Sequence, residues 1–154
     1  MVIHELTPAE SMELLGRAAH GRLGCARHDQ PYVVPFFFYL DPTEECLYSV
    51  SALGQKIDWM RSNPKVCVEV DQVLDQFNWT TVVAFGRYEE VGDSRQEQDE
   101  RRRAYELFQQ RSAWWLPGLG KLASGEEHNI PIVYRIRIDR VTGRRATRLD
   151  SPIR

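Results

Sequence analysis

The chain has 154 residues, 42% of them hydrophobic, which is enough for one domain with its own core. Twenty Lys and Arg residues against 22 Asp and Glu residues leave no basic excess that would indicate a nucleic acid or an anionic membrane as partner. No apolar run approaches the roughly 20 residues of a transmembrane helix, and the stretch MVIHELTPAE lacks a signal peptide's hydrophobic segment, so we expect a cytoplasmic protein.

The segment TPAESMELLGRAAHG predicts the first helix. Thr7 is the expected N-cap, Pro8 suits the first helical position, and Glu10 closes a capping box with Thr7. Gly21 is expected to end this helix. Its apolar stripe is formed by Met12, Leu15, Ala18 and Ala19.

Three strands are predicted next, in RLGCARHD, PYVVPFFFYLD and ECLYSVS. A turn at Asp29 and Gln30 joins the first two strands, and a turn signal at residues 41–43 precedes the third. Pro35 cannot donate a backbone hydrogen bond, so it predicts a bulge or an unpaired edge in the second strand.

A short helix and two more strands follow. Leu53, Ile57 and Met60 fall at helical spacing, and Pro64 pushes Asn63 out of helical geometry. The strands are KVCVEVD, with its valines on one face, and WTTVVAFGRYEEV. A glycine within the second strand, at position 86, predicts a bulge or a close approach of another backbone.

The last elements are a helix and a strand. Ser94 and Glu97 form a second capping box, which opens a helix to about Arg111. The charge run at residues 94–103 is most simply the solvated face of that helix. The alternating segment IPIVYRIRIDRVTG predicts the final strand.

The predicted fold is therefore mainly β, with about six antiparallel strands and three helices in a single domain over residues 1–154. Short connections between the early strands favour antiparallel pairing. A small closed or partly open barrel would remove the exposed edges of such strands.

Few residue patterns point to chemistry. The common nucleotide-binding and hydrolase motifs are absent, and the four histidines are scattered without metal-ligand spacing, so no metal site is expected. Cys25, Cys46 and Cys67 are odd in number and far apart, which favours buried free thiols over a disulfide framework.

One junction does suggest a ligand. Ser49 and Ser51 end a strand, and Gly54 and Lys56 lie at the start of the next helix. Hydroxyls, free backbone N–H groups at a helix N-terminus and one ammonium together suit a phosphate. A lysine on a helix is by itself more often simply solvated, so this pattern alone is weak.

The order of segments resembles the pyridoxamine phosphate oxidase-like family of flavin-binding split barrels, and within it the branch related to nitroimidazole-resistance flavoproteins. The resemblance rests on GRLGCAR, PYVVPFFFYLD, LYSVSALGQKIDWMRSNPKVCVEVD, WTTVVAFGRYEEV and YRIRIDRVTGRR, and it covers residues 5 to about 147. Its most specific elements are Gly54, Lys56, Asn63, Pro64, Val66, Trp79 and Gly86.

The resemblance implies FMN as cofactor and assigns residues to it. The flavin phosphate would lie at Gly54, Gln55 and Lys56, where Gln55 replaces a family cation and Arg61 or Arg87 would compensate. The isoalloxazine edge would lie along Val34, Pro35, Phe36 and Phe37, and the ribityl chain and phosphate would reach Tyr48, Ser49 and Ser51. Thr80 and Thr81 would touch the cofactor from a second subunit, which implies a homodimer with flavin at the interface.

Two departures restrict what is transferred from the family. The nitroimidazole-resistance branch carries a His where this chain has Val50, so that detoxifying activity is not inferred. The long C-terminal extension of true pyridoxamine phosphate oxidases is missing, so vitamin synthesis is not expected.

Two function classes remain. One is an FMN-dependent oxidoreductase that passes electrons or a hydride from a reduced nicotinamide or similar donor to a small organic acceptor. The alternative is a non-catalytic flavin-binding, storage or sensing protein, or a relative that binds a deazaflavin or haem. Trp114 and Trp115 would cover the flavin ring, seal a dimer interface or plug the barrel mouth.

Overall fold

The computed structural model describes residues 1–109 and 131–149. The helices are α1 (Pro8–Arg17), α2 (Gln55–Ser62) and α3 (Arg95–Gln109). The strands are β1 (Val2–Glu5), β2 (His20–Arg27), β3 (Gln30–Phe37), β4 (Tyr39–Asp41), β5 (Cys46–Ser51), β6 (Lys65–Asp75), β7 (Asn78–Glu90) and β8 (Ile132–Thr147). Every predicted helix and strand is present. Strand β1 was not predicted, because four residues are too few to show an alternating pattern. The single strand predicted in PYVVPFFFYLD is wrong in its continuity: it is divided into β3 and β4, which pair with β2 and with β5.

The strands form one antiparallel sheet in the order β3-β2-β6-β7-β8-β5-β4, with β1 paired to the distal part of β8. Strands β3 and β4 lie at the two ends of this order, so the sheet does not close among the described residues. Residues from both ends, such as Phe36 and Leu47, nevertheless pack in the same core cluster. The predicted mainly β fold with a partly open barrel is confirmed.

Helix α1 begins as predicted but ends earlier. The Thr7 hydroxyl accepts a hydrogen bond from the Glu10 backbone N–H, and the Glu10 carboxylate accepts one from the Thr7 N–H. The prediction that Gly21 ends the helix is wrong, because α1 ends at Arg17 and Gly21 lies inside β2. A Cβ atom at Gly21 would lie 2.4 Å from the carbonyl oxygen of Glu69, so glycine permits the close approach of β6.

Helix α2 begins after Leu53, so it contains only two of the three residues predicted for its apolar face. Ile57 and Met60 are fully buried, as their spacing predicts. Leu53 is 59% exposed and precedes the helix, so its place on that face is wrong. Asn63 has an extended backbone (φ -136°, ψ 101°) ahead of Pro64, as predicted.

Pro35 and Gly86 both occupy the kind of position predicted for them. Pro35 pairs with Arg22, and its strand β3 lies at the edge of the sheet. The register between β7 and β8 shifts next to Gly86, and a Cβ atom there would lie 2.3 Å from the carbonyl oxygen of Arg137. The position therefore combines a bulge with a close backbone approach.

Strand β5 separates two core clusters, because alternate side chains of a strand point to opposite faces. Leu47 packs in the larger cluster inside the sheet, whereas Tyr48 and Val50 pack in a smaller one. Ala104 and Phe108 of α3 belong to the smaller cluster, so α3 covers that face of β5.

The cysteines are free, with Cys25 and Cys46 buried and Cys67 half-buried. In the part of the chain that the structure describes, no helix has both the length and the apolar character needed to cross a membrane.

Candidate functional site

The N-terminus of α2 opens toward free space. Gly54 is its N-cap, and no side chain caps the helix by a hydrogen bond. A Cβ atom built on Gly54 would meet nothing within 4 Å. The first N–H groups of a helix have no partner within it, and they carry the positive end of the helix dipole. This end of α2 therefore offers both space and hydrogen-bond donors to an anion.

Lys56 lies in the first turn of α2 and is half-buried. Its ammonium forms no hydrogen bond or ion pair with any residue in the described ranges. Burial lowers the pKa of Lys56, while the neighbouring Cys25 thiol acts weakly in the opposite direction. A partly desolvated charge without a counter-ion is unfavourable, so an anion bound here would stabilise it.

The cations expected to compensate for Gln55 are engaged elsewhere. Gln55 itself is exposed in the first turn of α2. The Arg61 guanidinium donates to both carboxylate oxygens of Glu90, one of them at 3.2 Å. Arg87 on β7 forms an ion pair with Asp139 on the neighbouring strand β8, at 3.9 Å. Lys56 is therefore the cation that the described residues leave unpaired beside the α2 N-terminus.

Ser49 and Ser51 are both buried, and each hydroxyl already donates a hydrogen bond. The Ser49 hydroxyl donates to the carbonyl oxygen of Phe37 at 2.7 Å. The Ser51 hydroxyl donates to the carbonyl oxygen of the adjacent Ala52 at 2.9 Å. A serine has one proton to donate, and a phosphate dianion accepts but does not donate. Ser51 needs only a rotation to change its acceptor, whereas Ser49 would break a contact between two strands.

Strand β3 lies opposite β5, across the gap where the sheet does not close. It has one neighbour, β2, in the described sheet, so its second edge is not part of the ladder. Phe36 is 2% exposed and belongs to the core, while Val34 and Phe37 are half-buried and Pro35 is exposed. The accessible feature of this strand is therefore its backbone edge and not the Phe36 ring.

Tyr48 lies apart from this junction. Its side chain is on the α3 side of β5, and its hydroxyl donates to the Glu100 carboxylate. Burial, and next the hydrogen bond to Glu100, raise the pKa of Tyr48. Although Tyr48 is adjacent to Ser49 in sequence, the structure does not bring its hydroxyl to the α2 N-terminus.

The contact with Glu100 was missed because residues 94–103 were interpreted as a solvated face. Glu100 also accepts a hydrogen bond from Arg135, and its side chain is 13% exposed. The interpretation is therefore wrong at Glu100. Helical spacing of Ala104 and Phe108 would have placed Glu100 on the covered face, four residues before Ala104.

Thr80 and Thr81 are separated from the α2 junction along the sheet. The β8 partner of Thr81 is Arg144, and the β8 partner of Ser51 is Ile132. These β8 positions are twelve residues apart, a path of about 40 Å at about 3.3 Å per residue. Thr81 instead donates a 3.1 Å hydrogen bond to Glu69. The other expected contact residue, Trp115, lies outside the described residues together with Trp114.

Comparison with known proteins places this chain beside flavin-related families. The family model described as pyridoxamine 5'-phosphate oxidase matches residues 7–145. An uncharacterized protein of Rhizobium meliloti (strain 1021) is 34% identical over 151 residues, which cover 95% of this chain and 97% of that protein.

Solved structures share the fold. A FAD-binding protein from Mesorhizobium loti is 34% identical, with a TM-score of 0.79 over 96% of this chain and 99% of that chain. A candidate 5-nitroimidazole antibiotic resistance protein from Bacteroides thetaiotaomicron is 18% identical, with a TM-score of 0.64 over 94% of this chain and 89% of that chain. At that lower identity the likeness concerns the fold alone.

Proposed function

The chain belongs to the pyridoxamine 5'-phosphate oxidase family, and from this premise we propose that it binds FMN and acts as an oxidoreductase. A reduced nicotinamide or a similar donor would supply electrons or a hydride, and a small organic molecule would accept them. The similarity to the Mesorhizobium loti FAD-binding protein supports a flavin as the ligand.

The observation that carries the proposal is the unpaired ammonium of Lys56 beside the open N-terminus of α2. Gly54 leaves free space at that terminus, and the first-turn N–H groups are available as donors. A terminal phosphate would satisfy both features at once, by hydrogen bonds from the backbone and a charge-assisted hydrogen bond from Lys56. Ser51 is the last residue of β5 and shortly precedes Gly54, so rotation of its hydroxyl would add a further donor to the phosphate.

The flavin ring is assigned to the gap between β3 and β5. Backbone groups on the free edge of β3, at Pro35 and Phe37, suit the polar rim of an isoalloxazine, whereas the backbone of Val34 is one residue out of phase and turns toward β2. Pro35 lacks an N–H and contributes an acceptor only. A mononucleotide is preferred over a dinucleotide because the described residues leave one unpaired cation, Lys56, at the phosphate end.

A homodimer completes the proposal. Thr80 and Thr81 lie on the part of β7 that pairs with the distal end of β8, whereas β5 pairs with the beginning of β8. If they contact the cofactor, they do so from a second copy of the chain. Assembly into a two-fold dimer would bring the distal part of β7 in one protomer to the β3–β5 gap of its partner.

The residues of the site bind and orient, and they carry no proton to the reaction. Bound flavin would supply the redox chemistry. Lys56 holds the phosphate, the edge of β3 fixes the ring, and Phe36 and Val34 support that edge from the core. A non-catalytic flavin carrier remains the second candidate, because Gln55 stands in place of a cation.

The visible spectrum of the purified protein tests the proposal. We expect a yellow protein whose absorbance bleaches when NADH or NADPH is added without oxygen, and mass spectrometry of the released ligand should give FMN. A yellow protein that no donor bleaches would favour the carrier. A colourless protein that cannot take up added FMN would contradict flavin binding altogether.

A further inference from the structure

Ser49 lies where the gap between the two ends of the sheet begins. Strand β4 pairs with β5 only from Cys46 to Tyr48, so Ser49 is the first β5 residue beyond that ladder. On the same side, β3 ends at Phe37 and has its own ladder with β2. The 2.7 Å hydrogen bond from the Ser49 hydroxyl to the Phe37 carbonyl therefore joins two strands that no described ladder connects.

The surroundings of Ser49 hold its side chain in place. Ser49 is 3% exposed, and its register partner on β8 is the fully buried Tyr134. Residues directly opposite in an antiparallel pair share a face, so the Ser49 hydroxyl points toward the larger core cluster. At such burial, a hydroxyl or a carbonyl that loses its partner is disfavoured.

The proton balance argues against Ser49 as a phosphate ligand. Its single hydroxyl proton is committed to Phe37, and the lone pairs that remain on the oxygen cannot bind a phosphate dianion. To serve the phosphate, Ser49 would leave the carbonyl oxygen of the half-buried Phe37 without this partner. Ser51 faces no such cost, since its hydroxyl donates only to the neighbouring residue.

We propose that Ser49 is a positioning residue: its hydrogen bond to Phe37 sets the width of the β3–β5 gap and so places the free edge of β3 against the flavin ring. This inference rests on the flavin site proposed above. In this inference Ser49 affects the position of the flavin ring and does not bind the phosphate. Lys56 and Ser51 are then the side chains whose contacts with the phosphate distinguish FMN from riboflavin.

The test compares Ser49→Ala with Ser51→Ala, which removes a hydroxyl from the same strand end. Affinities for FMN and for riboflavin are measured by fluorescence quenching. Ser49→Ala should weaken both ligands equally, by about 3- to 10-fold, and shift the absorption maximum of the bound flavin. Ser51→Ala should weaken FMN by a similar factor and leave riboflavin unchanged.

Two other results for Ser49→Ala would contradict the proposal. A Ser49→Ala variant that loses affinity for FMN alone would make Ser49 a phosphate ligand, and one that binds both flavins normally would exclude a positioning role. If Ser49→Ala does not fold, Ser49→Cys keeps the shape with a weaker donor and should give a smaller but equal loss for both ligands.

A wild-type protein that binds neither flavin would overturn the proposed function, and the contact between strands is then tested without ligand. Ser49→Ala should speed amide hydrogen exchange in β3 at least 3-fold while leaving α1 unchanged. Unchanged exchange in β3 would show that the hydrogen bond does not hold the gap.

Discussion

The Tyr48 hydroxyl donates a hydrogen bond to the Glu100 carboxylate, and this contact ties strand β5 to helix α3. Glu100 also accepts a hydrogen bond from Arg135. Tyr48, Arg135 and Glu89 are register partners in one row across β5, β8 and β7. A charged network therefore docks α3 on the sheet, in addition to the apolar contacts of Ala104 and Phe108.

Replacing Glu100 should loosen α3 from the sheet. Glu100→Ala leaves the Tyr48 hydroxyl without its acceptor and Arg135 with Glu89 alone, so we expect a loss of about 1–3 kcal/mol in unfolding free energy by urea denaturation. Asp99→Ala is the matched control, because its ion pair with Arg102 is exposed and should contribute less than about 0.5 kcal/mol. Equal losses in the two variants would contradict the network.

Removing the Lys56 ammonium should separate FMN from riboflavin. Lys56→Ala is expected to weaken FMN about 10- to 100-fold, since a charge-assisted hydrogen bond contributes about 1.5–3 kcal/mol. Riboflavin, which has no phosphate, should bind almost as before. Lys65→Ala removes an exposed lysine that lies just beyond α2 and should change neither affinity. An equal loss for both ligands in Lys56→Ala would place Lys56 away from the phosphate.

Two glycines should respond oppositely to the addition of a methyl group. At Gly86 the new Cβ would lie 2.3 Å from the Arg137 carbonyl oxygen, so Gly86→Ala should cost about 3 kcal/mol or more. At Gly54 the backbone is extended (φ -177°) and the space is open, so Gly54→Ala should cost less than about 1 kcal/mol. Thermal denaturation measures the loss of stability in each variant. Equal losses would show that the bulge at Gly86 relaxes to accommodate the methyl group.

Local signals in the sequence were sufficient for much of the fold. The capping boxes at Thr7 and Ser94 form as predicted, because they depend on residues three positions apart. The valines of β6 at positions 66, 68 and 70 are buried together, because strand periodicity is also local. Gly21 shows the limit of such signals. A glycine favours a helix end and a close strand approach alike, and only the position of β6 decides between them.

Some parts of the candidate site could be predicted from the sequence, and others could not. The α2 N-terminus could be located from Gly54 and Lys56, which are neighbours in sequence. The separation of Tyr48 from Ser49 follows from strand alternation but was obscured when the whole stretch was assigned to one ligand. The burial of Glu100 depends on Arg135, which is 35 residues away, and contacts of that kind have no local signature.

The protein should be a dimer in solution. Light scattering at micromolar concentration should give about twice the 17.9 kDa mass of one chain. If Thr81 contacts the flavin of a partner, Thr81→Ala should weaken flavin binding without changing the mass of the dimer. The same variant loses a hydrogen bond to Glu69, so Glu69→Ala, which removes that hydrogen bond but keeps Thr81, serves as the control. A mass near that of one chain would refute the assembly.

Acid should weaken the network at Glu89 before the core unfolds. Burial opposes ionisation of Glu89, but hydrogen bonds from Arg135 and Arg137 outweigh it and lower the pKa of Glu89 below 4.5. A carboxyl whose pKa is lower in the folded state stabilises the fold above its unfolded pKa, and this stabilisation is lost as the pH falls through the folded value. Glu89→Gln should therefore be less stable than wild type at pH 7, by a margin that shrinks as the pH is lowered from 7 toward 3. Urea midpoints across that range measure the difference, and a gap that stays constant with pH would show that the Glu89 charge does not stabilise the fold.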